Sequence, residues 1–217
     1  RLLQAGREVT VLEARDRIGG RLRNETHDEV DENGEEVDFE VGGQWVSPDQ
    51  TALIALIDDL GLETFKRYRE GESLYVGADG VARRFTDEMP VSEKTNAEIE
   101  RLTALMDEIV AKMDPDRPWE HPDAAYLDTV SFTHWLREQS DDQEACDNIA
   151  LYVGPAMLTK PAHSFSALQA ILMAASAGAF SHLVDADFIL DKRVVGGLAS
   201  VPRVLAEKVG HDRIRLS

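Results

Sequence analysis

The sequence feature that most constrains the fold is a short apolar run that ends in one acidic residue and a glycine pair. Residues 9–21 read Val-Thr-Val-Leu-Glu-Ala-Arg-Asp-Arg-Ile-Gly-Gly-Arg, so four strand-forming residues lead directly to Glu13. A buried parallel strand ends this way where its carboxyl edge holds a nucleotide, because a carboxylate there can accept hydrogen bonds from a ribose diol. Residues 1–5 and Gly6 have the pattern of a last helical turn and its glycine stop. The order helix, glycine, strand, acid predicts the second half of a βαβ unit.

The first half of that unit is not within the sequence. A Gly-x-Gly-x-x-Gly turn that binds a pyrophosphate lies about 20 residues before such an acid, and only twelve residues precede Glu13. The sequence also begins with arginine and stops within a predicted strand, residues 213–216. We therefore expect an internal fragment of a longer protein, with a dinucleotide-binding domain that is only partly present.

Charge and composition exclude several classes of protein. The chain has 23 basic and 41 acidic residues, a formal net charge of −18, which argues against a nucleic-acid partner because phosphate binding needs the opposite sign. No apolar run approaches the 18 residues that a membrane span needs. The single cysteine, Cys146, allows no internal disulfide and fits a reducing cytoplasm, which is the location we expect. The acidic surface favours either solubility or the attraction of a cationic substrate, and composition leaves both open.

The sequence contains no recognisable metal or nucleophile site. Six histidines lack metal-ligand spacing, and Cys146 lies in an acid-rich segment that would disfavour a thiolate. Neither a phosphate-binding Gly-Lys-Ser/Thr motif nor a Gly-x-Ser-x-Gly elbow occurs. We predict no metal centre and assign no catalytic residue, so a bound cofactor is left as the chemically competent part.

Periodicity predicts the remaining elements. Ser47-Pro-Asp is expected to cap a helix that Gly61 ends, and the turn Ala78-Asp-Gly80 predicts a hairpin. Paired glycines at Gly42-Gly43 and Gly196-Gly197 predict tight turns or a close approach of the backbone to a ligand. The other predicted elements are strands at 37–41, 73–76, 81–85 and 192–195, and helices at 92–113, 131–139, 141–152, 165–179 and 199–209.

Two stretches of the sequence carry a family resemblance. The stretch Leu12-Glu-Ala-Arg-Asp-Arg-Ile-Gly-Gly-Arg21, followed by Gly42-Gly-Gln-Trp-Val46, resembles the signature of the flavin-containing amine oxidases. That family includes monoamine oxidases, polyamine oxidases and L-amino acid oxidases. Residues 43–53, 68–73 and 158–168 most resemble its bacterial putrescine oxidases. The likeness covers nearly the whole chain.

The resemblance implies a fold, a cofactor and a set of boundaries. The fold class is α/β, with a partial Rossmann-like FAD-binding domain that lacks the Gly-x-Gly-x-x-Gly strand and turn, and a mainly helical α+β substrate domain. The implied boundaries are 1–64 for part of the FAD-binding domain, 65–194 for the substrate-binding domain, and 195–217 for the return to the FAD-binding domain.

The resemblance also implies site residues. Glu13 would bind the adenosine ribose, and Arg15, Gly19, Gly20 and Arg21 would form the loop near the ribose and diphosphate. Gly42, Gly43, Gln44 and Trp45 would run beside the flavin ring. The expected lining of the substrate cavity is Phe180, Leu183, Asp187 and Phe188.

The activity that the resemblance implies is oxidation of a primary amine, such as putrescine or a related polyamine, to an aldehyde, with release of ammonia and hydrogen peroxide. The amine and dioxygen would be the small-molecule partners, and a homodimer is left open. Another flavin amine oxidase or an L-amino acid oxidase is one alternative. The other is that the chain as given is a non-catalytic fragment that binds FAD weakly.

Overall fold

The structure is a computed structural model that describes residues 1–30, 34, 36–86, 88–185 and 188–217. Its strands are β1 (Val11–Glu13), β2 (Asn24–Val30), β3 (Glu36–Glu40), β4 (Trp45–Val46), β5 (Thr64–Lys66), β6 (Ser73–Val76), β7 (Ala82–Phe85), β8 (Lys192–Val194) and β9 (Ile214–Leu216). Its α-helices are α1 (Thr51–Leu60), α2 (Glu93–Val110), α3 (Ala124–Thr129), α4 (Phe132–Gln139), α5 (Gln143–Leu151), α6 (Ala167–Ser176), α7 (Phe180–Val184) and α8 (Ser200–Val209).

The chain divides into two compact units. The first unit is Arg1–Tyr68 with Leu190–Ser217, and the second unit is Arg69–Ile189. The sequence-based boundaries at 64 and 194 lie four or five residues from these divisions. The assignment of the units to FAD and substrate binding stays a prediction at this point.

The first unit combines short sheets with two helices. Strand β1 pairs in parallel with β9, with Glu13 opposite Leu216, so the predicted strand at 213–216 is confirmed. A three-stranded sheet has the order β4-β8-β5, and β2 pairs with β3. Its core consists of the buried side chains of Val46, Ile57, Val194, Leu198 and Val201.

One local prediction in the first unit is wrong. Ser47 does not cap α1, because the N-cap residue is Gln50 and its side chain makes no capping bond. The Ser47 hydroxyl instead accepts a hydrogen bond from the Leu190 N–H at 3.0 Å. The predicted stop is confirmed, since Gly61 ends α1 in the left-handed conformation at φ 70°.

The second unit is mainly helical and has one large apolar core. Helices α2, α4, α5 and α6 contribute side chains that are fully buried: Leu102, Met106, Phe132, Leu136, Ile149 and Ile171. The predicted hairpin is confirmed as β6 and β7. The Tyr75 hydroxyl ties it to α5 by donating to the Glu144 carboxylate at 2.8 Å.

Side-chain caps begin most of the longer helices in the second unit. Ser92, Ser131, Asp142 and Ser166 each accept a hydrogen bond from a backbone N–H three residues further along. Such caps satisfy N–H groups that have no partner within the helix. The start signals at the predicted helices 92–113 and 131–139 therefore lie where the sequence placed them.

The region after α5 differs from the predicted simple helix end. The chain continues as a π-helix over Tyr152–Leu158 and leaves it at Thr159, which has a φ of 54°. Pro155 lies inside this segment and has no N–H to donate. A Cβ on Gly154 would lie 2.8 Å from the Lys160 carbonyl oxygen, so this close approach of the backbone requires glycine.

Candidate functional site

The loop that follows β1 in the first unit is folded by its own charged side chains. The carboxylate of Glu13 accepts a hydrogen bond from the Arg15 N–H at 2.9 Å. The guanidinium of Arg15 donates to the Gly20 carbonyl at 2.8 Å. Gly19 and Gly20 both have positive φ, at 99° and 57°, which side chains with a Cβ rarely adopt. The predicted acid, arginine and glycine pair therefore belong to one compact loop.

Arg17 holds the same loop from inside, a role that the sequence analysis did not assign. Its guanidinium donates to the carbonyls of Ile18 at 3.2 Å, Leu22 at 3.3 Å and Gly20 at 2.9 Å. Because three carbonyls share one cation, these bonds hold the backbone of the loop in one conformation. Alternating arginines before a glycine pair are the only sequence signal that could have indicated this.

The turn at Gly42 and Gly43 lies directly beside this loop. The Gly43 N–H donates to the Arg21 carbonyl at 3.2 Å. A Cβ on Gly42 would lie 2.2 Å from the same oxygen, which is closer than any real contact, so position 42 must be glycine. The structure thus brings together the two segments that the sequence analysis assigned to cofactor binding.

Gln44 and Trp45 complete that turn. The Gln44 side-chain amide donates to the Glu40 carbonyl at 2.6 Å. The Trp45 ring lies under the guanidinium of Arg193, 5.5 Å from the ring centroid, and that of Arg67, 6.0 Å away. Cations in this arrangement are attracted by the face of the ring.

Glu40 is the most buried acidic side chain among the described ion pairs, with 3% of the side chain exposed. One carboxylate oxygen accepts from the Arg193 Nε at 3.0 Å and from a terminal guanidinium nitrogen of the same residue. The other accepts from the Leu198 N–H at 2.6 Å. The sequence analysis did not single out Glu40 or Arg193, although an acid directly before Val-Gly-Gly in a strand is an available signal.

The residues expected to line a substrate cavity lie in the second unit. Phe180 is fully buried and Leu183 is 6% exposed, and both belong to the apolar core. Phe188 stacks on His182, with ring centroids 4.4 Å apart. Asp187 lies outside the described residues.

An apolar cavity of about 410 Å³ lies elsewhere in the second unit, between α2, α5 and α7. Ile99, Ile149 and Val184 supply apolar lining, and Tyr152 and Asp107 supply polar groups. The Asp107 carboxylate is used by α7, because it accepts from the Phe180 N–H at 2.6 Å and the Ser181 N–H at 3.1 Å. The expected cavity residues Phe180, Leu183 and Phe188 do not line this cavity, and their role toward substrate stays a prediction.

The single cysteine has the properties of a structural residue. Cys146 is 3% exposed, and burial raises the pKa of its thiol, with a further increase from the Asp147 and Asp142 carboxylates. This agrees with the predicted effect of the acidic segment on the thiol.

The described part of the chain holds neither a candidate metal site nor a candidate membrane span. No group of three or more histidine, cysteine, aspartate or glutamate side chains in it could hold a metal ion. Among the same residues, no helix has the length and apolar character that crossing a membrane requires.

Comparison with known proteins identifies the family of the chain. The family model described as flavin containing amine oxidoreductase matches residues 1–217. A putrescine oxidase from Kocuria rosea is 56% identical over 216 residues, which are 99% of this chain and 44% of the relative. The flavin-containing amine oxidase A of Sus scrofa is 30% identical over 99% of this chain and 40% of its own length. The chain thus spans less than half the length of these relatives.

Solved structures give the same result. A wild-type putrescine oxidase bound to putrescine matches with a TM-score of 0.90 and 57% identity, over 99% of this chain and 46% of that one. Cyclohexylamine oxidase from Brevibacterium oxydans matches with a TM-score of 0.87 and 27% identity, over 99% of this chain and 47% of that one. The mixed α/β fold that the sequence predicts is therefore that of these amine oxidases. The chain belongs to the flavin-containing amine oxidoreductase family, which confirms the prediction of FAD as the cofactor.

Proposed function

We propose that the complete gene product that carries this chain is an FAD-dependent oxidase of putrescine or a related polyamine. The observation that carries the proposal is the pairing of the loop 13–21 with the turn 42–45 in the first unit. The 57% identity to a putrescine oxidase solved with putrescine supports the choice of substrate.

The residues present in the first unit fit parts of FAD. Glu13 lies at the end of a parallel strand, where a carboxylate can accept hydrogen bonds from a ribose diol. Arg15 and Arg21 bring guanidinium groups to the same loop, and guanidinium forks match phosphate oxygens. Gly42 and Gly43 have no Cβ, so a planar ring can approach their backbone. We therefore propose Glu13, Arg15, Gly19, Gly20, Arg21, Gly42, Gly43, Gln44 and Trp45 as cofactor-binding residues.

In the proposed reaction, an amine loses two electrons and two protons to give an imine, and water hydrolyses the imine to an aldehyde and ammonia. The flavin, when bound, supplies the electron acceptor, and dioxygen regenerates it with release of hydrogen peroxide. This chain contributes binding and orientation of the cofactor through the first unit. No side chain of this chain is proposed as catalytic.

We propose the second unit as the substrate-binding part, with Phe180, Leu183, Asp187 and Phe188 toward the amine. An L-amino acid oxidase is the second candidate function. A carboxylate substrate calls for an arginine in the cavity, and residues 165–191 contain none. The sequence of this region therefore favours an amine over an amino acid.

The proposal is tested by peroxide release from the purified complete gene product. Putrescine, longer polyamines, benzylamine and several L-amino acids are supplied in parallel, and the flavin spectrum is recorded. We expect the highest kcat/KM for putrescine. An enzyme that carries flavin but turns over only L-amino acids would contradict the substrate, and one that carries no flavin would contradict the proposal as a whole.

A pair of variants tests the cofactor site separately. We expect Glu13→Ala to weaken FAD binding roughly tenfold or more, because one hydrogen-bonded charged group is lost. Glu8→Ala, on the same segment and exposed, is the matched control and should leave the dissociation constant unchanged. Equal effects of the two changes would remove the support for Glu13 as a ribose ligand.

Two coarser properties are part of the proposal. The proposed location is a reducing cytoplasm. A chain with a single cysteine has no internal disulfide that would need an oxidising compartment. A homodimer stays an expectation. Size-exclusion chromatography with light scattering would measure the oligomeric state.

A further inference from the structure

We propose that Glu40 is a positioning residue for the cofactor, which holds the turn 42–45 and the turn 196–198 at a fixed separation. This inference rests on the proposed FAD site. Glu40, Arg193 and the Leu198 N–H are called the carboxylate clasp below. Neither the sequence analysis nor the family resemblance assigns a role to any of the three residues.

The main chain and the side chain of Glu40 bind two different turns. Its carbonyl accepts from the Gln44 amide at 2.6 Å, within the turn 42–45. Its carboxylate accepts from the Leu198 N–H at 2.6 Å, within the turn 196–198. One residue at the end of β3 therefore connects two glycine turns, the second of them through Leu198, which is 158 positions further along the chain than Glu40.

The turn 196–198 is built to receive this carboxylate. Gly196 and Gly197 have φ values of 77° and 81°. The Asn24 side-chain amide donates to the Gly196 carbonyl at 3.1 Å. A Cβ on Gly197 would lie 2.8 Å from Asn24 and 3.0 Å from the Cγ of Glu40, so a side chain there would push Glu40 away.

Arg193 connects the carboxylate clasp to the indole ring of Trp45, which we propose lies beside the flavin. Its guanidinium binds the Glu40 carboxylate and lies over Trp45 at 5.5 Å and over Phe65 at 6.0 Å. The orientation of Trp45 is therefore coupled to the charge on Glu40. A change at Glu40 should alter the environment of the flavin as well as the stability of the fold.

A buried ion pair is poor evidence for stability alone, because apolar residues of similar size often serve as well. What an apolar replacement cannot supply is the set of directed bonds that fix both turns and Trp45 at once. The role that this favours is geometric precision at the cofactor rather than strength of the fold.

The experiment uses the complete gene product with Glu40→Gln, which keeps the shape and removes the charge. The control is Glu98→Gln, which breaks the partly exposed pair with Arg101 in the second unit. The readouts are the FAD dissociation constant of the apoprotein, the visible circular dichroism of bound flavin, and the apoprotein melting temperature. We expect Glu40→Gln to weaken FAD binding at least tenfold and to change the dichroism, while Glu98→Gln changes neither.

Arg193→Lys provides a second route if Glu40→Gln does not fold. It retains the charge in the pair but loses the two-pronged contact and the flat stacking on Trp45. We expect a loss of FAD affinity of about threefold and a dichroism change in the same direction.

The outcomes separate the two proposals. A folded variant with a lower melting temperature but wild-type FAD affinity and dichroism would overturn the positioning role and leave the proposed function standing. If Glu40→Gln does not fold, wild-type values for Arg193→Lys would overturn it in the same way. A wild-type gene product that binds no FAD would overturn the proposed function, and with it this inference.

Discussion

The two units of the chain are stabilised in different ways. The second unit has a single large core and caps its main helices with its own side chains. The first unit has a small core, and its helices α1 and α8 begin without a side-chain cap. Leu12 in β1 is 77% exposed and Leu216 in β9 is 47% exposed, although parallel strands are normally covered on both faces. The proposed cofactor residues thus lie in the unit with the smaller core and the more exposed parallel strands.

The difference teaches how the cofactor loops of the first unit keep their shape. Directed polar contacts of Arg17 and Glu40 hold them, in addition to the packing of Leu22 and Leu198 in the small core. We therefore expect core changes to act most strongly in the second unit, and changes at turns to act most strongly in the first.

The largest expected effect is the difference in stability loss between a core residue of the second unit, Phe132, and an exposed strand residue of the first unit, Leu12. Phe132 is fully buried and stacks on Trp135 and Phe165 at 6.2 and 6.0 Å, so Phe132→Ala should cost about 3–5 kcal/mol of unfolding free energy. Leu12→Ala should change the stability of this chain by less than about 0.5 kcal/mol. Urea unfolding of both variants checks this. A comparable loss in both would break the comparison, and a larger loss for Leu12→Ala in the complete gene product would show that β1 is covered there.

A pair of glycines tests the turns of the first unit. Gly42→Ala places a Cβ 2.2 Å from the Arg21 carbonyl, and we expect a loss of about 2–3 kcal/mol from the forced backbone shift. Gly20→Ala has open space around its Cβ and only the cost of positive φ, about 1 kcal/mol. Thermal unfolding of the complete gene product compares the two. A larger effect at Gly20 would mean that the two segments do not meet as described.

Helix caps provide a smaller test across the units. Ser92 accepts from the Thr95 N–H at 3.0 Å, so Ser92→Ala should cost about 1 kcal/mol, and Ser92→Asp should restore most of it. Gln50→Ala at the start of α1 removes no capping bond but only the long bond that the Ser47 N–H donates to its amide oxygen at 3.2 Å, so it should cost less, about 0.5 kcal/mol. Chemical denaturation followed by circular dichroism measures both. Equal losses at the two caps would contradict the difference between the units.

The smallest expected effect depends on pH and concerns the Glu98–Arg101 ion pair of the second unit, in contrast to the buried Glu40–Arg193 pair of the first. Hydrogen bonds from Arg101 lower the pKa of Glu98 from 4.5 to about 2. Because the folded pKa lies below the unfolded one, this pair stabilises the fold above pH 4.5 and the contribution is lost as the pH falls toward 2. Glu98→Gln should therefore cost about 0.5 kcal/mol or less at pH 7 and nothing near pH 2. A cost that stays constant over this range would show that the pair does not act through its charge.

Local patterns in the sequence predict much of this fold. The apolar run ending at Glu13, the Ala78-Asp-Gly80 turn and the starts of the helices at Ser92 and Ser131 each carry their signal within a few residues, and the structure has them at those positions. The cap predicted at Ser47 is not formed. The meeting of the loop 13–21 with the turn 42–45 could be expected only through the family resemblance, because periodicity does not report which loops touch.

Other features could not be read from the sequence. Glu40 and Arg193 are 153 positions apart, and neither has a local pattern that names its partner. The π-helix after α5 depends on how closely Gly154 approaches Lys160, which is a tertiary contact. Short helices such as α3 and α7 are too brief for periodicity to define.

The most direct test of the proposed function is anaerobic titration of the purified gene product with putrescine while the flavin absorbance is recorded. Our account predicts that the oxidised flavin band bleaches with one equivalent of putrescine per flavin, and that admitting dioxygen restores it with release of hydrogen peroxide. Bound flavin that putrescine and the other amines leave unchanged would contradict the account.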